Sequence, residues 1–133
     1  IGSGPEEENL KKKVEEYCLK DKVIFLGAIY NPYPILRQAD LFLLTSFYEG
    51  LPTVLLESLM CGVPIVAPNI PGARDIYEEI APENSMILVE NNINDIYKGV
   101  LSALNNKVNK DFSFNIKEYN QKIIQEYYKI FNN

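Results

Sequence analysis

Two glutamates, Glu49 and Glu57, stand eight positions apart in the stretch SFYEGLPTVLLESL (46–59), where most neighbours are apolar. An ionised carboxylate only accepts hydrogen bonds, so it can hold ligand hydroxyls or set negative charge beside a reacting carbon. Buried without a partner, it costs several kcal/mol or is forced to keep a proton. Each glutamate must therefore reach a partner, face a cleft or lie on a solvated stripe. Histidine is absent from the 133 residues, which removes Ser-His-Asp and Cys-His catalysis and the commonest metal ligand. Cys18 and Cys61 have no metal-like spacing and suggest neither a zinc site nor a redox pair.

The elements that must position these carboxylates follow from periodicity. Short apolar runs alternate with helical patterns, as in an α/β fold with a parallel sheet. Gly2-Ser3-Gly4-Pro5 opens a first helix, with Pro5 at its first position and Glu6, Glu7 and Glu8 at the positive end of the dipole. Leu10, Val14 and Cys18 recur at fourfold spacing and predict its buried face. Lys11–Lys13, flanked by Glu6–Glu8 and Glu15–Glu16, reads as a solvated, ion-paired face. Strands are predicted at Val23–Leu26, ending at Gly27, and at Leu41–Thr45, Ile65–Ala67 and Met86–Val89. Helices are predicted at Ile35–Ala39, Thr53–Cys61, Ala73–Ile80, Asp95–Leu104 and Ile116–Phe131, the second stopped by Gly62 and Pro64.

Ligands of open parallel sheets sit outside the carboxyl ends of strands, where loops lead into helix N-termini. Glu49-Gly50-Leu51-Pro52 lies at such a place. The first-turn N–H groups of Thr53 and Val54, with the helix dipole, offer an anion site, and Gly50 lets backbone approach a ligand closely. Glu57 shares a helix face with Thr53, about 6 Å further along the axis. An anion at the helix start and an acceptor one turn deeper fit a nucleotide, with diphosphate on the N-terminus and ribose on the carboxylate. A second reading stands beside this one: Glu57 on the solvated stripe of its helix, and Glu49 as an ordinary turn glutamate.

The segment from Ala39 to Gly72 resembles the donor-binding domain of the group 1 (family 4) retaining glycosyltransferases of the GT-B fold. It carries their Glu-x7-Glu, here Glu49 to Glu57, followed by Cys-Gly-Val-Pro-Ile-Val-Ala, here Cys61–Ala67. Gly2–Pro5 resembles the family's Gly-x-Gly-Pro turn, and Val23–Gly27 its next strand. The resemblance covers residues 1–104 and, less specifically, the closing aromatic-rich helix. It implies a partial Rossmann-like parallel sheet with helices on both faces, residues 1–110 forming a partial nucleotide-sugar-binding domain and 111–133 a C-terminal helix packed on it. It also implies that Glu57 accepts hydrogen bonds from the donor ribose and that Glu49 is the catalytic-site carboxylate, contacting sugar hydroxyls near the reacting carbon. The backbone of Gly50, Leu51, Thr53 and Val54 then holds sugar and diphosphate, Gly27 and the Gly2–Gly4 turn border the base, and Gly72 stands beside the donor sugar. The implied reaction moves a hexosyl unit from a nucleotide-diphospho-sugar, UDP-sugar foremost, to a glycan or lipid-linked acceptor with retention. No cofactor and no bound metal are implied, and cell-envelope polysaccharide synthesis is the default setting.

Several features bound that expectation. Between Val23 and Tyr97 only Arg37 and Arg74 are basic, Arg37 reading as a helix-surface residue and Arg74 as adjacent to a partner in Asp75. The family's phosphate-clamping Arg and Lys, its acceptor-binding N-terminal domain, and the domain's first strand with most of its second are expected upstream. The chain, which opens on Ile rather than Met, reads as the interior of something longer. In 3-2-1-4-5-6 order, Val23–Leu26 is separated from Leu41–Thr45 by two strand positions, leaving edges open to self-association. Asn84-Ser85 replaces the family's Asn-Gly, and Asp75 stands where Glu is frequent. Two alternatives remain: a non-catalytic chain that binds nucleotide weakly or acts by association, and another GT-B activity such as a sugar-nucleotide epimerase. A net charge of −5 argues against nucleic acid or an anionic membrane as partner. No apolar run approaches the roughly 18 residues that span a bilayer. Two unpatterned cysteines fit a reducing cytoplasm, the expected location, with any peripheral membrane contact left to regions upstream.

Overall fold

The computed structural model describes residues 1–107 and 112–121. The chain divides into two units, Ile1–Pro34 and Ile35–Asn133.

In the first unit the glutamates ahead of the lysine run nucleate helix α1 (Glu7–Glu16), which begins two positions later than Pro5 suggests. Lys11 Nζ lies 2.8 Å from Glu7 and 3.2 Å from Glu8, and Lys20 2.8 Å from Glu15. These are the expected solvated surface pairs, which add little to stability. Cys18 takes a left-handed φ of 54° and lets Leu19 N–H reach back to Val14 O at 2.8 Å, closing the helix. Two expectations fail here. Helix α1 has no buried residue, with Leu10 and Cys18 exposed and Val14 only half-buried. Val23–Leu26 is not a strand, and all four of its side chains are exposed. The cause is common to both: a strand exists by pairing, and one helix beside one extended segment supplies no second layer to bury either. A short helix, α2 (Tyr33–Leu36), starts two residues earlier than predicted, with Asn31 Oδ1 accepting from Tyr33 N–H at 3.2 Å.

In the second unit, strands β1 (Phe42–Leu43), β2 (Ile65–Pro68) and β3 (Met86–Val89) form a parallel sheet in that order. Phe42 pairs with Ile65, and Ile65 with Met86. All four residues of β2 are buried, as a central strand covered on both faces requires. Alternation along β2 then sorts the helices. Ile65 and Ala67 pack with Leu55 and Leu59 of α3 (Thr53–Met60) and with Ala73 and Ile76 of α4 (Pro71–Glu79). Val66 faces the other way, against Ala103 and Val100 at the end of α5 (Ile93–Ser102), which runs into a π-helical turn at Ala103–Lys107. This is the predicted Rossmann-like sheet with helices on both faces.

Helix ends follow local chemistry. Gly62, at φ 72°, stops α3 as expected, and the buried Ser58 hydroxyl donates to Val63 O at 3.0 Å. Pro71 occupies the first turn of α4, which starts two residues before the predicted Ala73. Asn92 caps α5, accepting from Asp95 N–H at 3.0 Å, so that helix also starts two residues early. The lysine and asparagine partners of Asp95 hold its carboxyl below the ordinary range, Asn92 having the larger effect. The left-handed position in the turn before β3 is Asn84, at φ 59°, so Ser85 is spared it and instead buries a hydroxyl bonded to Pro82 O at 2.6 Å. Phe112 and Phe114 pack on the larger core. Residues 116–121 are helical, and the rest of the helix predicted to run to Phe131 lies outside the described residues. No helix among the described residues is long and apolar enough to cross a membrane.

Gly99 sets how closely α5 approaches the sheet. A Cβ there would lie 2.6 Å from Val89 Cγ1 and 3.1 Å from Val66 Cγ1. Alanine brings about 1 kcal/mol of helix propensity, and crowding two stiff β-branched side chains costs about 1–3 kcal/mol. Gly99→Ala is therefore expected to destabilise by about 1 kcal/mol and Gly99→Val by more, checked by urea unfolding.

Candidate functional site

Because the three strands are parallel, the loops leaving β1, β2 and β3 emerge at one edge of the sheet. The structure ties these loops together. Gly72, buried in the first turn of α4, has the backbone of the β1–α3 loop lying directly on it: a Cβ would meet Gly50 O at 2.3 Å and Glu49 O at 2.9 Å. From the β3–α5 loop, Asn91 Nδ2 donates to Ser46 O at 3.1 Å. The Ser46 hydroxyl in turn donates to Glu49 Oε1 at 2.8 Å. Glu49 is thus half-buried, held through its backbone by one neighbouring loop and through Ser46 by another.

Helix α3 starts beside this cluster. Its N-terminus is less open than the sequence suggests, because Thr53 N–H is already donated to Leu51 O at 2.9 Å, and Leu55 N–H to Pro52 O at 2.9 Å. Among the described residues the Val54 N–H donates to no backbone carbonyl. The anion site expected on Thr53 and Val54 therefore reduces to Val54, since the tight Leu51–Thr53 turn takes the other donor. Glu57 lies one turn deeper, half-buried, and its carboxylate has no hydrogen-bond or ion-pair partner among the described residues. Gly50 and Leu51 are exposed, and a Cβ on Gly50 would meet nothing within 4 Å. No atom of the described residues demands a glycine there, which leaves room on the outer side of the loop.

In the first unit, Gly2 N–H donates to Gly27 O at 2.7 Å, which brings the Gly2–Gly4 turn and Gly27 together. Both line an open cavity of about 490 Å³ with Leu10 and Phe25. Gly27 needs its residue type for a φ of 65°, whereas a Cβ on Gly4 would meet nothing. The expected Arg74–Asp75 pairing is not formed. Arg74 Nε donates instead to Asn69 Oδ1 at 2.9 Å, since Asn69 sits in the loop that precedes α4 and faces back along it. Sequence reading missed Ser46 and Asn91. Ser46 sits three residues before Glu49, a spacing at which a hydroxyl reaches a turn carboxylate. Asn91, 45 positions from its partner, left no signal in sequence.

The model of the family Glycosyl transferases group 1 matches residues 1–125. The chain belongs to that family. An uncharacterized glycosyltransferase of Haemophilus influenzae is 36% identical over 107 residues, 80% of this chain and 30% of that protein. A Campylobacter jejuni N-acetylgalactosaminyltransferase, named as acting on a diphospho-undecaprenol-linked sugar, is 30% identical over 78% of this chain and 28% of its own length. The chain therefore spans about a third or less of these relatives. Among solved structures, sucrose-phosphate synthase from Thermosynechococcus elongatus superposes with a TM-score of 0.71 at 22% identity, over 98% of this chain and 37% of that one. The lipopolysaccharide outer core galactosyltransferase WaaB gives 0.70 at 26%, over 82% and 31%. These neighbours share the GT-B glycosyltransferase architecture expected of a group 1 member.

The Gly72 contact makes a sharp test of how the glycosyltransferase loops are joined. Gly72→Ala is expected to cost about 3 kcal/mol, because backbone carbonyls cannot turn aside as side chains do, and that outweighs about 1 kcal/mol of helix propensity. Gly50→Ala is expected to leave stability within about 0.5 kcal/mol. Thermal unfolding of the two variants checks both.

Proposed function

We propose that this chain is the donor-binding part of a retaining glycosyltransferase that takes a hexosyl unit from a nucleotide-diphospho-sugar, UDP-sugar foremost. The observation that carries the reading is Glu49, pinned half-buried at the mouth of α3, with Glu57, which has no partner among the described residues, one turn inside. In this reading the diphosphate lies against the start of α3, where the Val54 N–H and the helix dipole meet it. The ribose hydroxyls donate to Glu57, and the sugar lies over Gly50, Leu51 and Thr53, with Gly72 beneath the loop that carries them. Glu49 accepts from sugar hydroxyls and sets negative charge near the carbon that becomes electron-poor as the bond to phosphate breaks. No metal ion and no cofactor are assigned.

The acceptor in this reading is a glycan or lipid-linked sugar of a cell-envelope polysaccharide. Relatives named for glycosyl transfer onto diphospho-undecaprenol-linked sugars and for Vi polysaccharide biosynthesis support that choice. A cytoplasmic location, with acceptor and membrane contacts made by other parts of the enzyme, belongs to the same reading.

Titration calorimetry with the UDP, ADP and GDP sugars tests the donor site. Glu57→Ala is expected to weaken binding about tenfold, the worth of a lost hydrogen bond to a charged group; unchanged binding would return Glu57 to the solvated stripe of its helix. Transfer is a separate matter. A leaving diphosphate needs cationic stabilisation, and of the two arginines between Val23 and Tyr97, both exposed, Arg74 is turned to Asn69. The 133-residue chain by itself is expected to transfer no sugar, and turnover of any nucleotide sugar, followed by released nucleotide, overturns that expectation.

A further inference from the structure

Glu49 is the side chain in the site whose usefulness depends most on orientation, because a glutamate has three rotatable bonds and loses rotamer freedom when held. In this structure that freedom is already spent. The Ser46 hydroxyl donates to Oε1 at 2.8 Å, both groups part-buried. No described residue donates to Oε2, so one oxygen is anchored and the other is left for a ligand. The anchor is itself anchored, since Asn91 Nδ2 donates to Ser46 O at 3.1 Å from the loop after β3. Gly72, under the carbonyls of Glu49 and Gly50, fixes the backbone on the remaining side.

We infer that Ser46 is a positioning residue for Glu49, steadied by Asn91, and that together they present Glu49 Oε2 to a hydroxyl of the donor sugar. The inference rests on the donor-site reading above and adds to it two residues outside the Glu-x7-Glu pattern. Its competitor is that the Ser46–Glu49 bond merely shapes the loop. The two differ in what they do to binding. The same loop leads into the start of α3, so a change of loop shape weakens nucleotide and nucleotide sugar alike. Loss of orientation at Glu49 removes only the part of affinity that the sugar contributes.

The test is calorimetric titration of the 133-residue chain with UDP, ADP and GDP and with the glucose and N-acetylglucosamine esters of each. Wild type is compared with Ser46→Ala, Ser46→Thr and Asn91→Ala. Wild type is expected to prefer one nucleotide sugar over its free nucleotide. Ser46→Ala should reduce that preference about fivefold or more with the nucleotide affinity held within about twofold. Ser46→Thr, which keeps the hydroxyl, should restore the preference, and Asn91→Ala should cause a smaller loss of the same kind. An unchanged preference in Ser46→Ala overturns the inference, as does an equal loss for nucleotide and nucleotide sugar. A wild type that binds nucleotide without preferring its sugar overturns the positioning role and leaves the nucleotide site standing. A wild type that binds no ligand of either kind overturns the donor-site reading and this inference with it.

Discussion

The contact on which the site depends is the one between a glycine without a Cβ and a carbonyl oxygen. Gly72 stands in the first turn of α4, and the carbonyl of Gly50 lies where its side chain would be. Any larger residue would push apart two elements that the core holds together, because Ala73 and Ile76 of α4 share a buried cluster with Leu55 and Leu59 of α3. The loop bearing Glu49 ends at the start of α3, so it is trapped between two helices that cannot separate without opening that cluster. Close packing therefore transmits the rigidity of the hydrophobic layer to a carboxylate at its rim.

Parallel sheet geometry explains why three loops are available for this. Parallel strands must be joined by crossovers, so every strand ends on the same side and its loop enters a helix there. With β2 central and wholly buried, the loops after β1 and β3 flank the one after β2. Asn91, from the loop after β3, and Gly72, in the first turn of α4, both contact the loop after β1. The two buried serines, Ser58 and Ser85, donate to backbone carbonyls and leave the interior without an unsatisfied side-chain polar atom among the described residues.

The contrast between the units shows what apolar patterning means when no second layer is present. The first unit carries Val23-Ile24-Phe25-Leu26, as apolar as the strands of the second, and a sparser stripe of Leu10 and Val14. In the second unit Ile65–Pro68 is wholly buried and Met86–Val89 buried or half-buried; in the first, Val23–Leu26 is exposed and unpaired and Leu10 is exposed. Periodicity states which face an element offers, and burial follows only where another element accepts it.

The amino-acid sequence by itself determined the α/β class, three of the strands, the places where α3 and α4 stop, and Glu49 and Glu57 as candidate site residues. These are local or patterned properties: period 2 against 3.6, a glycine at a left-handed position, a proline at a first turn, a carboxylate among apolar neighbours. The tertiary structure decided what two distant segments do to each other. It showed that Gly72 is a glycine because of Gly50, not because of its own turn, and that Thr53 spends its N–H on Leu51. It also brought Asn91 to Ser46 across 45 residues. Such contacts are set by where chain segments cross in space, and no spacing along the chain encodes a crossing.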